Sequence, residues 1–71
     1  MTIGQKLKDL RKERTLEEVA GKLNISVSAL NMYENDNRVP RDEIKIRICD
    51  FYGVSVADLF YERKEQYEEM D

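Results

Sequence analysis

Apolar residues return at intervals of three and four along most of the chain, and a residue able to cap a helix precedes most of these runs. Ile3, Leu7 and Leu10 form the first stripe, with Thr2 ahead of it and Gln5 at the capping-box spacing. Lys6, Lys8, Arg11 and Lys12 fill the positions between, and Lys6, Lys8, Lys12 and Arg14 read as a solvated face. A second box, Thr15 with Glu18, introduces Leu16, Val19, Ala20 and Leu23. That segment stops at Asn24, a residue type that tolerates left-handed backbone. Ser26 caps a third helix soon after, with Ile25 placed to pack on Leu30 as a hydrophobic staple. Ala29, Leu30 and Tyr33 form the inner side of this helix.

The polar run Asn35-Asp36-Asn37-Arg38 reads as a loop, and Pro40 stands just ahead of a fourth helix starting at Arg41 or Asp42. Ile44, Ile48, Phe51 and Tyr52 share a helical face, whereas Ile46 falls off it. The alternation from Ile44 to Ile48 also fits a strand. A lone strand in so short a chain has no partner, which favours the helix. Gly53 ends it, and Ser55 with Asp58 makes a third box for a fifth helix holding Val56, Leu59 and Phe60. The pattern predicts an all-α domain over residues 1–61, followed by an acidic stretch, 62–71. That stretch either extends helix five, with Arg63 and Tyr67 at helical spacing, or forms a solvated, disordered end.

Composition narrows the chemistry. A chain of 71 residues holds one domain, near the lower limit for a self-sufficient core. Cys49 is the single cysteine, so no disulfide is available, and a buried thiol in a reducing compartment is expected. Histidine is absent, which excludes His-based zinc sites and His-dependent catalytic triads. No apolar run reaches bilayer length and Met1-Thr2-Ile3 opens no signal peptide, so the expected location is cytoplasmic, without membrane contact. No carboxylate is set beside a base, and Gly4, Gly21 and Gly53 are too scattered to cradle phosphate. The expectation is a non-enzyme with no catalytic residue, no cofactor and no metal. A net charge of -3 disfavours a nucleic-acid partner only if it is evenly spread. Through Arg47 ten Lys/Arg face eight Asp/Glu; from Ile48 onward two face seven, so the acidity is concentrated in the last third.

The most informative feature is a pair of short helices joined by the three-residue turn Asn24-Ile25-Ser26. So tight a joint sets the helices at a steep angle and leaves the second free to lie in a major groove. Ala20 supplies the small side chain needed where the two approach. Around it stand Ile3-Gly4-Gln5-Lys6-Leu7, Leu10-Arg11, Glu17-Glu18-Val19-Ala20, Leu23-Asn24-Ile25-Ser26 and Ser28-Ala29-Leu30. Further on come Tyr33-Glu34, Arg38-Val39-Pro40, Tyr52-Gly53-Val54-Ser55 and Asp58-Leu59-Phe60. In this order and spacing the chain resembles the Cro/C1-type helix-turn-helix regulators, the xenobiotic-response-element family that includes phage repressors. The resemblance implies a lambda-repressor-like, compact five-helix bundle. It also implies a sequence-specific DNA-binding transcriptional regulator, typically a repressor that binds a palindromic operator as a homodimer.

The same resemblance assigns residues. Ser26, Val27, Ser28, Asn31 and Met32 match DNA-facing positions of the third helix, with Asn31 suited to an adenine edge and Val27 to a thymine methyl. Val27 and Met32 equally fit the edge of a core or a protein-binding patch. Asn35, Asn37 and Arg38 follow the helix and are expected to bind phosphates, fixing register without reading sequence, although an ordinary loop arginine also explains Arg38. Arg11 and Glu34 match a structural salt bridge. Three departures stand out: Leu16 replaces a usual phosphate-touching Gln, Asn24 replaces a common Gly, and the first connection is shorter. The first leaves the backbone N–H groups beside Thr15 as the phosphate anchor at that helix. Leu59, Phe60 and Tyr61 match a dimer contact, and the chain offers no domain for a small-molecule ligand. The competing reading is a protein-interaction module, such as an antirepressor or antitoxin, kept open by Leu16, Val27 and Met32.

Overall fold

Local capping places the helix starts. The computed structural model describes residues 1–61, in which α1 spans Ile3–Arg11, α2 Leu16–Leu23, α3 Val27–Glu34, α4 Asp42–Tyr52 and α5 Val56–Phe60. The alternative readings of 62–71 lie outside the described residues. Thr2 and Thr15 each accept from the N–H three residues on, and Gln5 and Glu18 accept in return from the N–H of the cap. Both boxes are therefore complete, each satisfying two backbone donors that a helix start leaves unpaired. Ser26 and Ser55 cap α3 and α5 through their hydroxyls alone. The expected third box is thus half formed: Asp58 donates its N–H to Ser55, but its carboxylate makes no return bond to the cap. Asp is one methylene shorter than the Glu that closes the box at α2.

No strand occurs among the described residues, and the segment with the strand-like alternation lies within α4. Ile46 points away from the core and is 54% exposed, as its position off the stripe predicts. Arg41 caps α4 without a side-chain bond, and Gly53 ends the helix in left-handed backbone at φ 71°. The core is built from every helix: Leu7; Val19, Ala20 and Leu23; Leu30 and Tyr33; Ile48 and Cys49; Leu59 and Phe60. Burial pushes the Cys49 thiol above its ordinary range, which keeps it in the unreactive neutral form. Among the described residues no helix is long and apolar enough to cross a membrane.

Packing places α3 between α1 and α2, while α4 packs on α2 and α5, and α5 on α1. Two polar contacts lock α3 to α1. Arg11 forms a bidentate pair with Glu34, Nε to Oε2 at 2.8 Å and a terminal nitrogen to Oε1 at 2.9 Å. Glu34 is only 2% exposed, and this is the structural salt bridge that the family resemblance implied. The second contact was not expected. Asp36 adopts left-handed backbone at φ 60° and accepts from the Gly4 N–H at 2.9 Å. A Cβ at Gly4 would overlap the Glu34 carbonyl, so only glycine lets the start of α1 sit this close to the end of α3.

The short α1–α2 connection is achieved by an unusual backbone at Lys12, φ 56° and ψ -123°. The Arg11 guanidinium also donates to the Arg14 carbonyl at 2.9 Å, tying down this turn, and Arg14 in turn lies over the Phe51 ring. Arg47 reaches from α4 to the Leu23 carbonyl at 2.8 Å, satisfying one of the acceptors that the end of α2 leaves open.

Candidate nucleic-acid interface

Asn24 takes left-handed backbone, φ 59° and ψ 45°, at the end of α2. The Ile25 N–H then reaches back to Ala20 O at 3.0 Å and the Asn24 N–H to Gly21 O at 3.2 Å, the two bonds of a Schellman motif. Asn in place of Gly thus preserves the turn. Ser26 follows at once, its hydroxyl oxygen accepting from the Ala29 N–H at 3.0 Å. With the turn closed from both sides, the direction of α3 relative to α2 is set by backbone hydrogen bonds.

That direction divides α3 cleanly. Leu30 and Tyr33 are buried and Ala29 is half-buried, whereas Ser28 and Asn31 are exposed beside the cap Ser26. Val27 and Met32, at 37% and 38% exposed, belong to this outer surface and not to the core. The five residues assigned to the outer side of the helix therefore share one solvent-facing surface. Asn35, Asn37 and Arg38 continue it, all exposed. The Asn37 N–H donates to Met32 O at 2.9 Å, folding the loop back against the end of α3. Asp36, held by Gly4 and by the Thr2 hydroxyl, fixes that loop to α1, and these bonds keep its carboxyl below the ordinary range.

Thr15 is exposed at the start of α2, but its own N–H is committed to Glu18 Oε1 at 2.9 Å and its oxygen to the Glu18 N–H at 3.0 Å. The donors left at this helix start are the N–H groups of Leu16 and Glu17 and the Thr15 hydroxyl proton. Glu17 and Glu18 put two carboxylates in the same turn, which weakens its attraction for an anion.

Asn35 departs from the expectation of a phosphate ligand. Its Nδ2 donates to Asn31 O at 2.9 Å and to Asn31 Oδ1 at 3.1 Å. An amide nitrogen carries two hydrogens, so this side chain has no donor left for a phosphate oxygen in this rotamer. The sequence reading missed this pair, although the i, i+4 spacing of the two asparagines is the signal that could have found it. Of the three residues expected at a self-association contact, two lie in the interior. Leu59 and Phe60 are 3% and 6% exposed within the protomer's own core, leaving Tyr61 as the exposed member of the trio at 51%. A domain this small uses the apolar side chains of α5 to complete its own interior. The Tyr61 hydroxyl lies 3.0 Å from Lys45 Nζ, whose cation sits over both the Phe60 and Tyr61 rings.

Among the described residues no cluster of His, Cys, Asp and Glu could hold a metal ion. The helix-turn-helix family profile matches residues 7–59. Over 56 residues the chain is 38% identical to the cryptic phage CTXphi transcriptional repressor RstR of Vibrio cholerae, with 76% of this chain covered. The matched region is 50% of that repressor, so the chain spans about half the length of its relative. No solved structure gives a significant match. With two short helices joined through a left-handed asparagine, an outward-facing second helix, and a profile match over most of its length, this chain belongs to the helix-turn-helix family.

Proposed function

We propose that this chain is a DNA-binding transcriptional repressor that lays α3 in the major groove of a palindromic operator. Two copies bind half-sites one helical turn, ~34 Å, apart. The observation that carries this reading is the outer surface of α3, where Ser26, Val27, Ser28, Asn31 and Met32 stand together, exposed, on a helix whose direction is fixed by its turn. The relative named as a transcriptional repressor supports the same role.

Within this reading Asn31 addresses a base edge and Val27 a thymine methyl, while Ser26 and Ser28 reach bases or sugar-phosphate. Asn37 and Arg38 meet phosphates beyond the end of α3, and the Thr15 hydroxyl with the Leu16 and Glu17 N–H groups meets one at the start of α2. No arginine or glutamine stands on the α3 surface, so each subunit discriminates modestly, with a bias to A·T. The protein acts in the cytoplasm and has no catalytic activity. The homodimer uses exposed surface around Tyr61 and not Leu59 or Phe60, and light scattering at operator-binding concentrations tests its existence.

A second reading has its own observation. Val27 and Met32 are apolar on the same exposed surface, and Glu17 and Glu18 stand at the nearby helix start, which suits a protein-interaction module such as an antirepressor or antitoxin. A gel-shift titration against the DNA flanking its own gene separates the two. Arg38 is the cation among these phosphate contacts, so a dimer forming two such ion pairs loses roughly tenfold in affinity between ~50 and ~200 mM salt. Absent or salt-independent binding favours the interaction module.

A further inference from the structure

We propose that Asn35 is a positioning residue that sets the base preference of Asn31 by fixing the orientation of its amide. The proposal rests on the DNA-binding reading above and adds to it a specificity role for a residue outside the α3 helix.

Asn35 is the C-cap of α3, one helical turn beyond Asn31. Three bonds join the two residues. The Asn35 backbone N–H donates to Asn31 O at 3.1 Å, and its Nδ2 donates to that same oxygen at 2.9 Å and to Asn31 Oδ1 at 3.1 Å. The side-chain bonds consume both hydrogens of the Asn35 amide nitrogen, leaving only its acceptor oxygen. Phosphate oxygens accept and do not donate, so this arrangement is unsuited to a phosphate contact.

The effect on Asn31 is directional. An asparagine amide rotates over a broad, nearly two-fold torsion, so an unrestrained side chain presents oxygen or nitrogen with similar ease. Here Asn31 Oδ1 is turned toward Asn35, which leaves both Nδ2 hydrogens and one Oδ1 lone pair uncommitted. A fixed acceptor beside a fixed donor matches adenine, whose N6 donates and N7 accepts in the major groove. Guanine presents two acceptors there, O6 and N7, and opposes the Asn31 oxygen. Asn35 therefore sharpens adenine over guanine without touching a base.

Selection from a randomised duplex pool, using the purified full chain, tests this through the base counts at each position of the selected site. Asn31→Ala is expected to erase the preference at one position of each half-site. Asn35→Ala and the similarly shaped Asn35→Asp, neither of which can supply the two donated bonds, weaken the adenine preference at that same position by roughly tenfold, within the range of a bidentate base contact. The relative preferences at all other positions and the salt dependence of Asn35→Ala stay as in the parent. Circular-dichroism melting establishes that the variants fold. An unchanged preference in folded Asn35 variants overturns the proposal, as does a change at a position other than the one Asn31 governs. A loss of affinity that is uniform across all sequences, with the preferences intact, identifies Asn35 as a phosphate ligand and also overturns it. If the parent chain enriches no sequence at all, the DNA-binding reading itself fails and takes this role with it.

Discussion

Replacing Arg11 with Met is expected to unfold this domain more effectively than any change on its surface. The guanidinium supplies two charge-assisted bonds, 2.8 and 2.9 Å, to a carboxylate that is 2% exposed. Removing one member of a buried pair costs ~3–5 kcal/mol, because the remaining charge loses its partner and is still denied water. The Arg11 side chain is 21% exposed, which places the expected loss near the lower end, about 3 kcal/mol. A domain of this size has a total stability of about 4–10 kcal/mol, so the variant forfeits about 30% of it or more. At ~4–8 °C per kcal/mol the melting point falls by about 12–24 °C. Urea titration followed by circular dichroism measures the difference directly. The double variant Arg11→Met, Glu34→Leu removes both charges and is expected to recover most of the loss, since apolar replacement of a whole buried pair is often neutral. A loss below about 1 kcal/mol in the single variant, or a double variant no more stable than the single, refutes the reasoning.

Two other contacts at the α1–α3 junction give distinct outcomes. Gly4→Ala drives a methyl group into the Glu34 carbonyl and to 2.9 Å from Asp36 Oδ1, so thermal melting is expected to show a loss of about 1–3 kcal/mol, despite the better helix propensity of alanine; unchanged stability contradicts the close approach. Asp36 has a carboxyl pKa lowered from 3.8 by the Thr2 hydroxyl and the Gly4 N–H, so its contribution is full above that unfolded value and is lost as pH falls through the folded one. Asp36→Asn is therefore expected to melt below the parent at neutral pH and to approach it as the solution is acidified below pH ~4, and a gap that widens on acidification reverses the sign and rejects the contact.

The elements were legible because they are governed by neighbours in sequence. Thr2, Thr15, Ser26 and Ser55 cap the residues that follow them, and Asn24 with Gly53 supplies the backbone that ends a helix. The exposed side of α3 was legible for the same reason: Leu30 and Tyr33 face inward by helical spacing and leave Ser28 and Asn31 outside. What sequence spacing did not disclose depends on which elements touch. Gly4 is required by a carbonyl thirty residues away, and Asp36 is positioned by the helix start that Gly4 allows. Leu59 and Phe60 look like interface residues on an isolated short helix, yet the small core needs both. The capping role of Asp58 failed on side-chain length, a local detail that the spacing rule passes over. Asn35 lies between these cases, since its bond to Asn31 is local but its competing assignment came from its place just beyond the third helix.

The central claim is that the outer side of α3 reads DNA while the inner side holds the fold, and Asn31→Ala tests both halves in one variant. Asn31 is exposed, and its side chain bonds only to Asn35 among the described residues. Measured together on the same preparation, the melting temperature is expected to stay within a few degrees of the parent, while affinity for the selected operator falls by roughly tenfold or more per half-site. A variant that melts far lower, or one that binds the operator as tightly as the parent, contradicts the account.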